Sequence, residues 1–323
     1  MAKLETIAIT GASGFVGQHL MATLMKHSDC NLRVLVRGKQ YPKAYLNDRV
    51  KVIIGDLTNR DHLFEFIKPG SIVVNLAYLS SNSLQENLKA ARNLMSVCKK
   101  NNIKRLIHCS TAAVAGRAKE TIVTEETECR PLNDYEATKL EIEKALMEDY
   151  GQQFELVIIR PTAIYGPGVQ NLMKLAKELT DGNWFLCYLR SSLFNRRKMN
   201  LVSIENVTQA ILHLSFIDKN IDGQVYIISD DDQARNNYHD VERLLRKHLA
   251  ASGYFLPIIP LPQSLLSIAL LLLGRSNINP SRVYNSEKLR GTGYSGKVMI
   301  EDGIALFADW YKKENLRRKP AGQ

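Results

Sequence analysis

The chain has 323 residues, of which 45% are apolar and 24% charged. This length suits one large α/β unit or two coupled domains, and the composition is that of an ordinary globular chain. A net charge of +10 and a pI near 9.3 admit nucleic acid, an anionic surface or a small anionic ligand; with basic residues dispersed and only 7% aromatics, nucleic acid is set aside in favour of a small anionic substrate.

The first half alternates short apolar runs with helical patterns. The runs are "TIAIT", "LRVLVR", "VKVIIGD", "SIVVNLA", "RLIHCST" and "LVIIRP". Strands that are apolar throughout belong to a sheet covered on both faces. The alternation predicts an α/β fold with a doubly wound parallel sheet. After "RPTAIYGPGV" helical patterns dominate, with one further strand-like run, "QVYIIS", at 224–229. The expected division is a dinucleotide-binding domain over 1–165, to which the strand near 224–229 returns. Residues 166–323 then form a smaller, mostly helical domain that carries most of the substrate contacts.

Three further stretches shape the expectations. The run "PLPQSLLSIALLLLG" at 260–274 is about half the ~20 residues of a spanning helix, so a buried helix is expected and stable membrane insertion is not. The tail "KKENLRRKPAGQ" reads as disordered by composition. The start "MAKLETIAIT" runs straight into a strand pattern, so no signal peptide is expected. Cys30, Cys98, Cys109, Cys129 and Cys187 are odd in number and form no CxxC pair. Neither a disulfide framework nor a metal site is expected, and a reducing, cytoplasmic setting is.

The segment "IAITGASGFVGQHL" places Gly11, Gly14 and Gly17 directly after the first strand, where the first helix opens. Such a junction offers unpaired N–H groups and a positive dipole end to a pyrophosphate. Arg37 ends the second strand, with Lys39 close behind, where an acid usually meets a free ribose 2′-hydroxyl. An arginine suits a 2′-phosphate, so NADP is expected, with NAD as the other option. Asp56, in "IIGDL", is placed to meet the adenine or to cap the next helix.

"LNDYEATKLEIEK" carries Tyr135 and Lys139 four residues apart on a helix. At ~100° per residue from Tyr135, Lys139 falls near ~40°, between Leu146 and Tyr150 on the apolar stripe, while Glu136 and Glu143 fall outside it. A lysine there is costly unless something pairs with it or uses it. A cation beside a phenol favours the phenolate, which is one use. Asn133 and Glu136 suggest a capping box that starts this helix. The strand "LIHCSTAAVAG" ends with Ser110 and Thr111 at a carboxyl end, where a hydroxyl could bind a reacting oxygen.

Taken together, "TGASGFVG", "GDL", "NLA", "STAAVAG", "YEATK" and "RPTAIYGPG" occur in an order that resembles the extended short-chain dehydrogenase/reductases, the NAD-dependent epimerase/dehydratase family of nucleotide-sugar enzymes. "VSIENV" and "VMIEDGIALFADWYKK" look like later landmarks of that family. The resemblance implies a Rossmann-type fold and a catalytic set of Thr111, Tyr135 and Lys139. It implies cofactor contacts at Gly11, Ser13, Gly14, Phe15, Val16, Gly17, Arg37, Asp56, Leu57, Leu76, Ala77, Tyr135, Lys139 and Pro161. Ser110, Thr162, Arg196 and Arg197 are the implied substrate contacts, with a basic residue near 196–199 holding a diphosphate. Ala115 departs from the tyrosine often found there.

Within the family the chain looks most like 4-ketoreductases of amino-sugar nucleotides, which act in bacterial surface polysaccharide synthesis. The leading expectation is therefore reduction of a UDP-4-keto-6-deoxy amino sugar by NADPH. The alternative is a nucleotide-sugar 4-epimerase with retained NAD. A dehydratase, a hydroxysteroid-type dehydrogenase and a non-catalytic NADP-sensing protein rank below. A homodimer is compatible with the resemblance.

Overall fold

A computed structural model describes residues 4–27, 29–38, 41–80, 83–169 and 171–318, the side chains of His27, Arg317 and Arg318 excepted. Lys39 lies outside the described residues. The chain forms two compact units. The first takes in the residues up to Val114 with Pro131–Arg160 and Thr208–Tyr226, and the second Ala115–Arg130, Pro161–Val207 and the chain from Ile227.

The first unit is built on a seven-stranded sheet. Its strands are β1 (Thr6–Thr10), β2 (Asn31–Val36), β3 (Val50–Ile54), β4 (Ile72–Asn75), β5 (Arg105–Cys109), β6 (Glu155–Pro161) and β7 (Gln224–Ile228). These are the seven apolar runs read from the sequence. The spatial order is β7-β6-β5-β4-β1-β2-β3, and the sheet is parallel throughout. The order reverses beside β1, which opens a ligand crevice at the carboxyl ends there.

The helices are α1 (Phe15–His27), α2 (Arg60–Phe66), α3 (Leu84–Lys100), α4 (Asp134–Asp149), α5 (Met173–Asp181), α6 (Trp184–Phe194), α7 (Ile204–Phe216), α8 (Tyr238–Leu249), α9 (Gln263–Leu272), α10 (Glu287–Arg290) and α11 (Ile300–Arg318). Ala8, Val73, Leu106 and Leu156 on one face of the sheet share a core with Phe66, Leu94, Val97 and Ile142 from α2, α3 and α4. Their strand neighbours Ile7, Ile9, Val74 and Ile107 point the other way and are equally buried. Burial on both faces is why the strands lack polar alternation.

Where the sheet meets the crevice, buried polar residues line up across its strands. The register sets Thr10 beside Asn75, and Asn75 beside His108, across β1, β4 and β5. Thr10 Oγ1 donates to Asn75 Oδ1 at 2.6 Å, and Asn75 Nδ2 lies 3.0 Å from His108 Nδ1. Burial, and then the charge of Lys139, push the His108 pKa down to about 3.

Helix α4 begins at Asn133, whose side chain accepts from Glu136 N at 3.0 Å. The return bond of the expected capping box is displaced by one residue. Glu136 Oε2 accepts from Leu132 N at 2.8 Å. The helical wheel also requires correction, because Glu136 and Glu143 are as buried as Lys139. The reason lies in the next strand. Arg160 of β6 donates to Glu143 through both Nε and Nη2, the latter at 2.6 Å, within a buried pair. No single-helix projection can supply that partner.

The second unit packs Val241, Leu245, Ile304 and Phe307 of α8 and α11 around Tyr165 and Leu201. Two short strand pairs lie within it: Ala163–Tyr165 beside Leu201–Ser203, and Ile122–Val123 beside Val283–Tyr284. Two buried aspartates tie these pieces together. Asp230 accepts from Ser203 N and Asn206 Nδ2, both at 2.9 Å. Asp231 accepts from Asn200 Nδ2 at 2.7 Å and Tyr284 N at 2.8 Å.

Two expectations are corrected in this unit. The leucine-rich run is not a buried helix. Only Leu266 and Leu270 of α9 are buried, while Leu272 is 81% and Leu273 70% exposed. One helix packed on one neighbour buries one stripe, and this helix is apolar all round. The tail is not wholly irregular either, since α11 continues to Arg318.

Two outcomes are expected. Arg160→Met strands a buried carboxylate, so urea unfolding should show a loss of about 3–5 kcal/mol, and a wild-type midpoint would refute the pairing argument. For His108 the folded pKa is depressed below the unfolded value of 6.5. The unfolded chain therefore takes up this proton first, and stability falls as pH drops from about 6.5 towards 3. Between pH 7 and pH 5 the stability drop should be smaller in His108→Gln than in the wild type.

Candidate active site

The first βα junction is shaped for close approach. Gly11 has φ +69°, and a Cβ there would lie 2.8 Å from Ala77 N. At Gly17 a Cβ would lie 2.2 Å from Gly11 O, so only glycine lets α1 start this near β1. Gly14 N donates to Gly11 O, and Ser13 O accepts from the Gln18 side chain. Tyr45 braces the loop from beneath, its hydroxyl donating to Ala12 O at 2.5 Å. Phe15 and Val16 are half-buried at the helix start, where Phe15 meets the His19 ring edge-on.

A cavity of ≈270 Å³ opens above this loop, lined by Gly11, Ser13, Gly14, Arg37, Asp56 and Leu57, with Leu76 and Ala77 opposite. Ala77 N donates to Thr10 Oγ1, which fixes that wall to β1. Thr58 donates to Asp56 through N and Oγ1, at 2.7 and 2.6 Å. These bonds, and then the nearby charge of Arg37, hold the Asp56 carboxyl below its ordinary value. Asp56 does not cap α2. Asn59 does. Glycine backbone, a helix N-terminus, apolar walls and one acid are a donor set that fits a dinucleotide.

The hydroxyl and amine groups gather at the carboxyl end of β5. Lys139 is 4% exposed, and its Nζ donates to Cys109 O at 3.0 Å. The same Nζ stands 4.9 Å from the Tyr78 ring centroid, and Tyr78 meets Tyr135 edge-on at 5.2 Å. Burial lowers the Lys139 pKa, against the raising effects of Cys109 and Glu143. Thr111 accepts from Ala113 N at 3.2 Å, and its hydroxyl acts on the Tyr135 phenol to lower its pKa. Burial nevertheless dominates and pushes the Tyr135 pKa up to about 12. The expectation that Lys139 lowers this phenol is therefore not met here, because its ammonium is turned to Cys109 O and Tyr78.

Tyr135, Lys139 and Thr111 thus come together. Ser110, one residue from Thr111, is buried with its Oγ unpartnered among the described atoms. Thr162 is tied down, its N and Oγ1 both donating to Ile228 O, beside the buried Pro161. The expected basic residues separate. Arg196 is mostly exposed and pairs with Asp240 at 3.2 Å. Arg197 is enclosed, and burial and then the neighbouring charge of Arg275 lower its pKa. Neither Arg197 nor Arg275 forms an ion pair among the described residues. Arg275 and Tyr78 were missed from the sequence. Tyr78 follows the "NLA" motif directly, which was a usable signal, whereas Arg275 carries no local mark. Among the described residues no group of three His, Cys, Asp or Glu is placed to hold a metal.

Comparisons with known proteins give this arrangement a context. Residues 7–228 match the model of the NAD dependent epimerase/dehydratase family. The chain is 30% identical to a UDP-glucose 4-epimerase of Vibrio cholerae, over 97% of each chain. It is 26% identical to a decarboxylating sterol-4-alpha-carboxylate 3-dehydrogenase of Candida albicans, over 97% of this chain and 99% of that one. Its fold is similar to a UDP-glucuronic acid 4-epimerase of Bacillus cereus, with a TM-score of 0.72 at 20% identity, covering 98% and 99% of the two chains. That structure holds NAD, as do six others of similar fold. The expected NADP is thereby overturned. The physical reason is that Arg37 does not stand unmatched for a 2′-phosphate, because it shares its pocket with ionised Asp56. No helix among the described residues is long and apolar enough to cross a membrane. The chain belongs to the NAD-dependent epimerase/dehydratase family, the extended short-chain dehydrogenase/reductases.

Proposed function

We propose that this chain is a nucleotide-sugar 4-epimerase of the UDP-hexose type that uses retained NAD. This reading takes the place of the NADPH-dependent amino-sugar reductase, whose support from Arg37 is gone. The observation that carries it is the cluster of Tyr135, Lys139 and Thr111 beside the glycine cradle, in a chain that aligns end to end with a UDP-glucose 4-epimerase. The neighbouring guanidiniums of Arg197 and Arg275 favour a sugar diphosphate over a sterol, since two close cations without a carboxylate suit a diphosphate. We place most substrate contacts in residues 166–323 and the cofactor contacts in 1–165.

When bound, the nicotinamide supplies a reversible hydride acceptor. The residues of this chain manage the proton. Tyr135 takes the proton from the sugar 4-hydroxyl and, after the keto sugar has turned over, returns it to that same oxygen. Thr111 hydrogen-bonds the same oxygen and so holds it against Tyr135. Lys139, fixed by Cys109 O, supplies the positive charge that favours the accepting form of the phenol once the site closes to water. With its pKa raised, Tyr135 keeps its proton in the ligand-free site, and must lose it before it can accept the proton of the sugar 4-hydroxyl.

The direct test is incubation with UDP-glucose and detection of UDP-galactose by chromatography. Appearance of the epimer without net NADH supports the reading. NADH accumulating in step with product would instead make the chain a dehydrogenase. Tyr135→Phe removes the proton carrier and leaves the cavity lining intact. Turnover should drop by about 10²–10⁴ with NAD affinity retained, and unchanged turnover would remove Tyr135 from the chemistry.

A further inference from the structure

The second unit carries an apolar face that the proposed chemistry does not use. It is continuous across three pieces of chain. Helix α6 presents Trp184, Phe185 and Leu186, between 48 and 63% exposed. The connection before α9 presents Phe255 and Ile259, at 87 and 64%. Helix α9 adds Leu265, Ile268 and Leu272. The pieces are joined to one another: Leu261 N donates to Ser192 O at 2.9 Å, and Tyr188 Oη donates to Pro257 O at 3.0 Å. Trp184 meets Phe255 edge-on at 6.0 Å, and Tyr188 meets Tyr254 at 5.5 Å. A cavity of ≈340 Å³ lies in the same face, lined by Phe194, Arg196, His239, Ile258 and Leu261 among others.

Isolated exposed leucines need no explanation, whereas a contiguous face of this kind marks a docking surface. Its chemistry narrows the occupant. Residues 183–204 and 243–286 contain no aspartate or glutamate but nine lysines and arginines, of which Arg282 is buried and the other eight are not fully enclosed by the core. The carboxylates that reach these segments from elsewhere include Glu178, Asp240 and Glu242, each already paired with arginine, and Asp230 and Asp231, which are buried and hydrogen-bonded. The surroundings of the apolar face are therefore net positive. A second copy docked about a two-fold axis would set these cations against themselves. A surface carrying negative phosphates would not.

The shape agrees. Helix α9 has ten residues and is about 15 Å long at 1.5 Å per residue. That is half a hydrocarbon core, too short to span it and suited to lying flat at its edge. Trp and Tyr, amphipathic rings that favour the headgroup level, occupy the neighbouring helix.

We propose that this face, formed by α6, the 254–262 connection and α9, docks the protein peripherally on a bilayer rich in anionic phospholipid. Apolar side chains enter the headgroup boundary, and the acid-free segments bring cations to the phosphates. The apolar part of the proposal is independent of the epimerase reading, since none of these exposed apolar residues lines the cofactor cavity or belongs to the catalytic cluster.

The test is co-sedimentation of the full chain with vesicles of phosphatidylcholine, alone or mixed with phosphatidylglycerol, at low and high salt. The wild type is expected to bind the mixed vesicles, to bind phosphatidylcholine far less, and to release at high salt. The double variant Phe185→Glu/Leu272→Glu should lose binding by about tenfold or more. Both positions are exposed, so its thermal midpoint should match the wild type, and its turnover on a soluble substrate should be unchanged. Leu316→Glu, at another exposed apolar position, serves as the control and should bind normally. Failure of the wild type to bind phosphatidylglycerol vesicles overturns the proposal. So does binding that the double variant retains. A concentration-dependent dimer in sedimentation analysis that the double variant abolishes would assign the face to a second copy instead.

Discussion

A buried ammonium organises the first unit. Lys139 sits in a place where a charge survives only if its surroundings answer it. The Cys109 carbonyl accepts its hydrogen bond, the Tyr78 ring faces it, and Glu143 lies close enough to raise its pKa. Each of those groups is then constrained in turn. Glu143 is held by Arg160 from β6. His108, one residue before Cys109, is kept neutral by burial and by the same ammonium. Moving Lys139 would therefore disturb the helix, two strands and the polar ladder together.

The ladder of Thr10, Asn75 and His108 links this charge to the cofactor cavity. Thr10 ends the strand that leads into the glycine turn, and it receives the Ala77 N–H that fixes the opposite wall. The cradle at the end of β1 and the cluster at the end of β5 are thus set by strands of one sheet, with β4 between them. Their separation is fixed by strand spacing and not by loops. That is a robust way to hold two halves of a reaction site, because neither half can shift without breaking sheet hydrogen bonds.

The second unit uses different physics. Its buried anchors are Asp230 and Asp231, whose pKa values burial raises to about 7 and about 6. Backbone and amide donors from three separated stretches, 200–206, Asn236 and Tyr284, converge on them. With its interior built on polar knots and one aromatic-aliphatic core, this unit leaves a large apolar surface over. The exposed leucines of α9 are the consequence.

The sequence by itself determined the sheet, the glycine junction and the pairing of Tyr135 with Lys139 on one helix face, while Thr111 joined them through the family resemblance. Those features are local: a strand buried on both faces is written in one uninterrupted apolar run, a tight turn in its glycines, and a four-residue spacing in helical geometry. What depended on partners distant in sequence could not be read that way. Glu143 looked like a surface residue until Arg160 stood beside it. Arg197 gained a neighbour in Arg275, 78 positions on. Arg37 pointed to NADP when taken alone, but it shares its pocket with Asp56. The leucine run of α9 looked destined for the interior because hydropathy records what a segment would bury, while only the tertiary structure decides how much of it finds a neighbour to be buried against.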